Sequence, residues 1–479
     1  MVGCIARRWK NVKMLTLCLL LSLCLGTALG VPCCTGVCDC EAHVVTCESK
    51  SLSDVPMCSA SEVNEFTEMR LTKNRIVNPT FSRIPDSIKT LDLSDNNITT
   101  ITIDKVRNVM ESLDLSGNGL TSVPILSKLP SLHNLDVTFN PIPSNLNGFP
   151  DAIFRQLGTN LTSLHVGHPE TFTEFPRTIS THLPKLDTLE INGAHARFGN
   201  LPPTAFEAFE LVLKKLYIRN TLLYAVPLTL RRLRNLKELY FESNPVQDYG
   251  LLPEAFSGLN SLELLSLKND SLTTFPAIVN NLKDKLTTLI LDENRLLFIR
   301  ENALNMVNGS NIENLYLRDC QLDRIPGAMA DDSGNYLQKI KVLDLSKNKI
   351  QSIDRNDLHD LHSLQNVSFS ENPLAYVSTL AFKNLGNLSF VDFSNTSIKV
   401  IPMALTNVAR HGLDIDLRNT DVECICELAC FQKYYKSRNF RVHGDCETVS
   451  VKLTDYLEMT IPHCPNFNGT VFPSCTANV

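Results

Sequence analysis

The chain has 479 residues, 43% of them hydrophobic, with 45 Lys and Arg against 51 Asp and Glu for a net charge of −6. Its length alone would allow two or three ordinary globular domains. The acidic balance disfavours nucleic acid and anionic membrane as partners, since both repel like charge.

Residues 1–30 read as a secretory signal peptide. Arg7, Arg8, Lys10 and Lys13 precede the apolar run 14–25, and Ala28-Leu29-Gly30 supplies a small-residue cleavage site. The run is too short to span a bilayer comfortably. Its removal takes away four positive charges and no acids, which moves the net charge from −6 to −10, and it removes Trp9, the only Trp. The last residues, 471–479, offer neither a transmembrane segment nor a GPI-type tail, so no membrane insertion is expected after cleavage.

Of the thirteen Cys beyond residue 30, six lie in 33–58, six in 424–475, and Cys320 stands alone between them. Clusters of this kind in a secreted chain mark small covers that cannot build their own core and are held by disulfides. The first cluster has the spacing Cys34-x3-Cys38-x-Cys40-x6-Cys47, with Cys33 and Cys58 outside it. Zinc is the competing use of closely spaced Cys, and the oxidising compartment argues against it. No metal is expected.

Between the clusters the chain repeats itself. In residues 340–364, IKVLDLSKNKIQSIDRNDLHDLHSL, Leu343-x-Leu345 has the period of two that predicts a strand, and Ile353 to Leu361 has the wider spacing of a helical or 3₁₀ turn. Asn348 sits between them, with two donors and an acceptor for backbone groups in a tight turn shut away from water. The Asn-type position recurs at 74, 96, 118, 140, 169, 194, 221, 244, 270, 294, 320, 348, 372, 396 and 420, fifteen units with steps of 22 to 29 residues. One unit cannot bury its apolar face alone, so the units must stack into a solenoid with covered ends. The pattern resembles the leucine-rich repeat, LxxLxLxxNxL. The predicted fold is therefore an α/β leucine-rich-repeat solenoid, a curved horseshoe with a parallel β-sheet lining the concave face and disulfide-bonded caps. Fifteen strands at about 4.8 Å give an inner arc of roughly 70 Å. The predicted organisation is a signal peptide over 1–30, an N-terminal cap over 31–62, the repeat array over 63–422 and a C-terminal cap over 423–479.

The middle x of each LxL and its neighbours two residues away should face outward on the concave side. Early units place an acidic strip there, Asp92, Asp114 and Asp136. The unit after Asn140 grows to 29 residues with Pro141, Pro143, Gly148 and Pro150, and Pro169, Ala194 and Thr221 replace the ladder Asn. Beside this break the outward positions become aromatic and charged: His165, His168, Glu190, Tyr217, Arg219, Tyr240 and Glu242, followed by Ile290, Tyr316 and Arg318. Tyr and Arg are the types most enriched in interface hot spots. The candidate binding residues are His165, Glu190, Tyr217, Arg219, Tyr240, Glu242, Tyr316 and Arg318. His165 and His168 lack a third ligand in sequence, which argues against a metal. Cys320 falls on a ladder position, where a small buried residue with a weak donor fits.

Both Cys clusters resemble the cysteine-rich flanks of extracellular animal leucine-rich-repeat proteins. At the C-terminal end the carrying residues are Cys424-x-Cys426, Cys446 and Cys464. The resemblance implies pairs Cys34–Cys40 and Cys38–Cys47 in the first cap, and Cys424–Cys446 and Cys426–Cys464 in the second. Cys33 with Cys58, and Cys430 with Cys475, are left over as further pairs. The family usually has a Trp after CxC, and Tyr434 and Tyr435 stand near that place.

Sequons occur at Asn97, Asn160, Asn269, Asn308, Asn366, Asn387, Asn395 and Asn468. Asn366 is expected on the concave strand face, with Asn269 and Asn395 near its edge. Glycans there would push a partner toward the fourth to eighth units. G-x-S-x-G, H-E-x-x-H, C-x-x-C and phosphate-binding Gly-rich motifs are all missing, so an enzyme and a cofactor are not expected. The resemblance implies secreted recognition of an extracellular protein or glycoconjugate, as in adhesion, innate immunity, axon guidance or matrix organisation. A matrix structural component, a soluble partner of a membrane receptor and a homodimer remain alternatives.

Overall fold

The computed structural model describes residues 31–34, 36–58, 66–196, 198–282, 284–296, 310–326, 338–359 and 361–464. The signal segment 1–30, the sequons Asn308 and Asn468, and Cys475 lie outside them.

Each repeat opens on a strand of three to five residues, and the alternation foreseen from LxL sets its two faces. In the strand Val342–Asp344 the middle Leu343 is buried while its neighbours are half-buried. Among the described residues fifteen repeat strands run from Glu68–Arg70 to Asp414–Asp416. All pair in parallel and in register, so each LxL pattern meets the next at the same level. Val44–Thr46 from the first cap and Arg441–His443 from the second extend the sheet in parallel at its two ends. A small antiparallel meander, Val31–Cys33, Cys38–Glu41 and Val44–Thr46, closes the N-terminal end. The buried Leu, Ile, Val and Phe side chains form one continuous core from Cys33 to Cys464.

The Asn ladder holds the turns together. Asn348 Nδ2 donates to the carbonyls of Leu317 (2.8 Å), Leu345 (2.9 Å) and Ser346 (3.1 Å), and its Oδ1 accepts the amides of Cys320 (2.9 Å) and Leu322 (3.0 Å). One side chain thus satisfies five buried backbone groups on two adjacent coils. Asn294 repeats the pattern two turns earlier in the stack. Thr396 keeps a single donor bond, from its hydroxyl to Phe393 O at 2.7 Å.

A feature with no counterpart in the leucine spacing accompanies the ladder. The residue just before the ladder position is left-handed almost throughout, including Lys73, Asp95, Phe139, Glu293, Lys347 and Glu371 with φ between 51 and 58°. That conformation costs non-glycine residues about 1–2 kcal/mol each, and the ladder bonds that the turn makes possible offset it.

At the predicted break the ladder is interrupted. Pro169 is exposed, so it occupies no ladder position, and Ala194 is buried but apolar. The chain turns instead at Gly167, with φ 133°, where a Cβ would lie 2.3 Å from Asn192 O. The longer units here carry the helices Asp151–Leu157 and Arg177–His182 on the outer side. Their extra space is filled by Phe149, Phe154, Phe172 and Phe198, whose rings follow one another at 5.6 to 6.2 Å.

The caps correct one expectation. Cys33 pairs with Cys40, Cys34 with Cys58 and Cys38 with Cys47, so the pairs Cys34–Cys40 and Cys33–Cys58 are not formed. Cys33 ends a strand and Cys34 begins a left-handed turn at φ 48°. Consecutive side chains at such a turn face opposite ways, so Cys33 alone reaches the neighbouring strand while Cys34 points to the chain arriving at Cys58. In the second cap the bonds are Cys424–Cys446 and Cys426–Cys464. Cys430 is also disulfide-bonded. The helix Ala429–Arg438 lies over the last coils with Phe431 and Tyr435 buried, and Tyr435 hydroxyl donates to Glu458 at 2.9 Å. Tyr434 packs at the edge of the core under the Arg438 guanidinium.

Candidate binding surface on the inner sheet

The register lines up one file of side chains down the sheet, because each middle x meets the next across the ladder. Asp92, Asp114 and Asp136 are followed by His165, Glu190, Tyr217, Tyr240, Ser266, Ile290, Tyr316 and Asp344. All are half-buried except Ser266, which is fully buried.

At the centre of the file Tyr217 and Tyr240 stack with centroids 4.4 Å apart and planes 9° from parallel. The spacing follows from strand separation, since two rings standing on adjacent parallel strands in register must meet face to face. Arg219, two residues along the same strand, lays its guanidinium 4.6 Å from the Tyr217 centroid and 5.5 Å from that of Tyr240. Glu242 accepts from Arg219 Nε at 2.8 Å and Glu190 from Nη1 at 3.4 Å. Two acids on one cation would repel, and each has a second partner that relieves this. Glu190 is bonded to His165 Nδ1 at 2.8 Å, and Ser266 hydroxyl donates to Glu242 at 2.5 Å. A polar chain His165–Glu190–Arg219–Glu242–Ser266 thereby crosses five consecutive strands and fixes the charged groups around the rings.

Titration follows from this chain. Burial alone would push the His165 pKa down, but the bond to Glu190 and the charges of Asp136 and Asp114 hold it above the usual imidazole range. Burial would push Glu190 up, and its His165 bond and Arg219 keep it below the usual range. Burial, with Glu238 nearby, raises both Tyr217 and Tyr240, so their hydroxyls stay protonated as donors.

Six of the eight candidate residues are therefore brought together: His165, Glu190, Tyr217, Arg219, Tyr240 and Glu242. Tyr316 and Arg318 stand three strands from Tyr240, about 14 Å along the sheet. Arg318 is engaged elsewhere, with Ser346 Oγ at 2.9 Å and Glu371 at 3.4 Å. His168 follows its strand, accepts the Glu170 amide at 3.2 Å and takes no part in the cluster. Two members escaped the sequence reading. Ser266 occupies the middle of Leu265-Ser266-Leu267, and Asn192, which donates to Glu190 at 3.1 Å, stands two residues beyond Glu190 as Arg219 does beyond Tyr217, so both were within reach of the pattern.

The acidic strip is organised in the same way. The Oδ1 of Asp92, Asp114 and Asp136 accepts both the amide and the hydroxyl of the residue two places on, Ser94, Ser116 and Thr138, at 2.6 to 2.9 Å. Burial first, then the neighbouring Asp136, pushes the Asp114 pKa up to about 6. Burial raises Asp136 as well.

Cys320 is buried, donates to Leu291 O at 3.2 Å and has its thiol pushed up to about 12 by burial. It fills a ladder position. Of the sequons, Asn97, Asn160, Asn269, Asn387 and Asn395 are exposed, and Asn366 is half-buried on its inner strand.

Leucine-rich-repeat family models match residues 87–108, 110–151 (two copies) and 310–374. The described residues form a leucine-rich-repeat solenoid. Disulfides at both ends of the described residues fit the cysteine-rich caps expected from the sequence. Human Podocan-like protein 1 is 26% identical over 278 residues, covering 48% of this chain and 52% of that protein. The rat volume-regulated anion channel subunit LRRC8D is 27% identical over 265 residues, covering 54% of this chain and 29% of that protein. The chain thus spans about half the length of the first relative and less than a third of the second. The solved Leptospira interrogans LRR protein LIC12759 superposes with a TM-score of 0.52 at 22% identity, covering 78% of this chain and 95% of that one, which shows the shared fold. Among the described residues no helix is long and apolar enough to cross a membrane.

Proposed function

We propose that this leucine-rich-repeat protein is secreted, with residues 1–30 removed, and recognises an extracellular protein or glycoconjugate through the inner sheet. The observation that carries the reading is the stacked Tyr217–Tyr240 pair under Arg219 on a solvent-facing sheet. A structural surface needs no such arrangement, whereas a binding surface gains large contact area with a polar handle held in place before the partner arrives. The extended polar chain from His165 to Ser266 keeps the rings and the guanidinium in one arrangement, so little ordering is required on contact.

The test is single alanine substitution at Tyr217, Arg219 and Tyr240 in the secreted full chain, read by capture of partners from extracellular extract and by titration of whichever partner is captured. At least one substitution should cost about 2 kcal/mol or more. A uniform loss of a few tenths at every position would instead favour a matrix component with many weak contacts and no dominant patch.

A further inference from the structure

The inner file carries two features side by side, the aromatic platform and, four strands before Tyr217, the centre of the acidic strip. Several acids on this face have a cation: Glu190 and Glu242 share Arg219, Asp416 has Arg418, and Asp414 has Arg441 and His443. Asp92, Asp114 and Asp136 form no ion pair among the described residues. Their Oδ1 atoms are held by their own Ser or Thr, and among the described residues no hydrogen bond reaches their Oδ2 atoms, while the three residues stand in register on adjacent strands. Three half-buried carboxylates in a row repel one another, and burial with Asp136 beside it already drives Asp114 up to about 6. A cation placed over them from outside would relieve that repulsion.

We propose that the partner's contact segment is basic at one end and apolar at the other, with Lys or Arg over Asp92, Asp114 and Asp136 and an apolar or aromatic side chain on Tyr217 and Tyr240. The inference rests on the inner-sheet reading above and adds the partner's chemistry. Charge complementarity fixes the basic end, since an acidic or neutral segment would leave the three carboxylates partly desolvated and unpaired. The aromatic pair fixes the apolar end. The spacing fixes the length: four strand steps are about 19 Å, which an extended segment covers in about six residues.

A library of random 16-residue peptides displayed on phage, selected on the secreted full chain at pH 7.4, tests this. The binders should carry Lys or Arg some four to eight positions from an aromatic or aliphatic residue. The isosteric variant D92N/D114N/D136N, made alongside the unaltered protein in a host without N-glycosylation because each new Asn completes a sequon with Ser94, Ser116 or Thr138, should weaken them at least tenfold and flatten their salt dependence, and binding should also weaken below pH 6 as Asp114 takes up a proton. Y217A/Y240A should weaken the same peptides independently. Circular dichroism and thermal melts of both variants establish that each remains folded. Binders that are acidic or neutral, or that ignore the Asn variant while still losing affinity in Y217A/Y240A, overturn the basic–apolar segment and leave the inner-sheet reading standing. Binders unaffected by either variant, or a selection without binders, overturn both. Light scattering that finds a dimer broken by D92N/D114N/D136N would make a second copy the occupant and equally overturn the proposal.

Discussion

Asp270 shows how much a single atom matters in this fold. It stands on the ladder in place of Asn, is fully buried, and its Oδ2 has no hydrogen-bond partner, while Oδ1 accepts the Asn244 amide at 2.9 Å. Asn at the equivalent positions puts a donor where Asp270 has a bare oxygen. Burial, opposed by the Asn244 amide and helped by Glu242, therefore raises its pKa to about 9. The folded value lies above the ordinary carboxyl value of 3.8, so folding takes up a proton. Its contribution to stability is fully present below about pH 4 and is lost as pH rises toward about 9. Asp270→Asn should stabilise the protein by about 1–3 kcal/mol at pH 8 and by much less at pH 4. Thermal melts of both proteins at the two pH values check this, and an equal shift at both would show that the carboxyl does not titrate in this range.

At the scale of the element, the repeat turn joins a strand, a left-handed residue and a ladder side chain. Asn348→Ala removes the partner of five buried backbone groups and should cost on the order of 3 kcal/mol or more. Thr396→Ala removes one bond and should cost about 1 kcal/mol. Urea unfolding of the two variants measures the difference, and equal costs would mean that water replaces the Asn bonds. The strands and the ladder were legible in the sequence because their period is enforced by geometry: LxL alternates across a sheet, and a turn sealed from water demands a side chain with both donors and an acceptor. The left-handed position was not legible, since Lys73, Phe139, Glu293 and Glu371 share no chemistry and only the backbone requires the conformation. Pro169 was misread for a related reason. Counting from the strand assumes a turn of fixed length, and Gly167 lets the chain leave the strand differently.

For the whole molecule, a stack of coils with one shared core is limited by its ends. The helix Ala429–Arg438 seals the last coils and is tied down through Cys426–Cys464, a loop with a sequence separation of 38. Replacing both Cys by Ser should cost about 2–5 kcal/mol. The loss should begin locally: hydrogen exchange should quicken first around Asp414–Asp416 and leave Thr90–Asp92 unchanged. Uniform acceleration along the chain would instead indicate that the array opens as one unit. The pairing in this cap could be inferred from a resemblance, while the adjacent Cys33 and Cys34 could not be told apart without the turn between them. The candidate surface was readable as a set of outward positions. Which of them meet was not, because contact depends on strand register and on how far Arg219 reaches sideways.

That register has a further consequence. Units differ in length from 22 to 29 residues, yet their inner strands pair in register, and the inward residues keep a constant pitch like the marks on a ruler. Insertions and deletions behind the sheet can therefore accumulate without changing the distance between any two inner side chains, and the array can acquire new outer features while its grip on a partner stays in gauge.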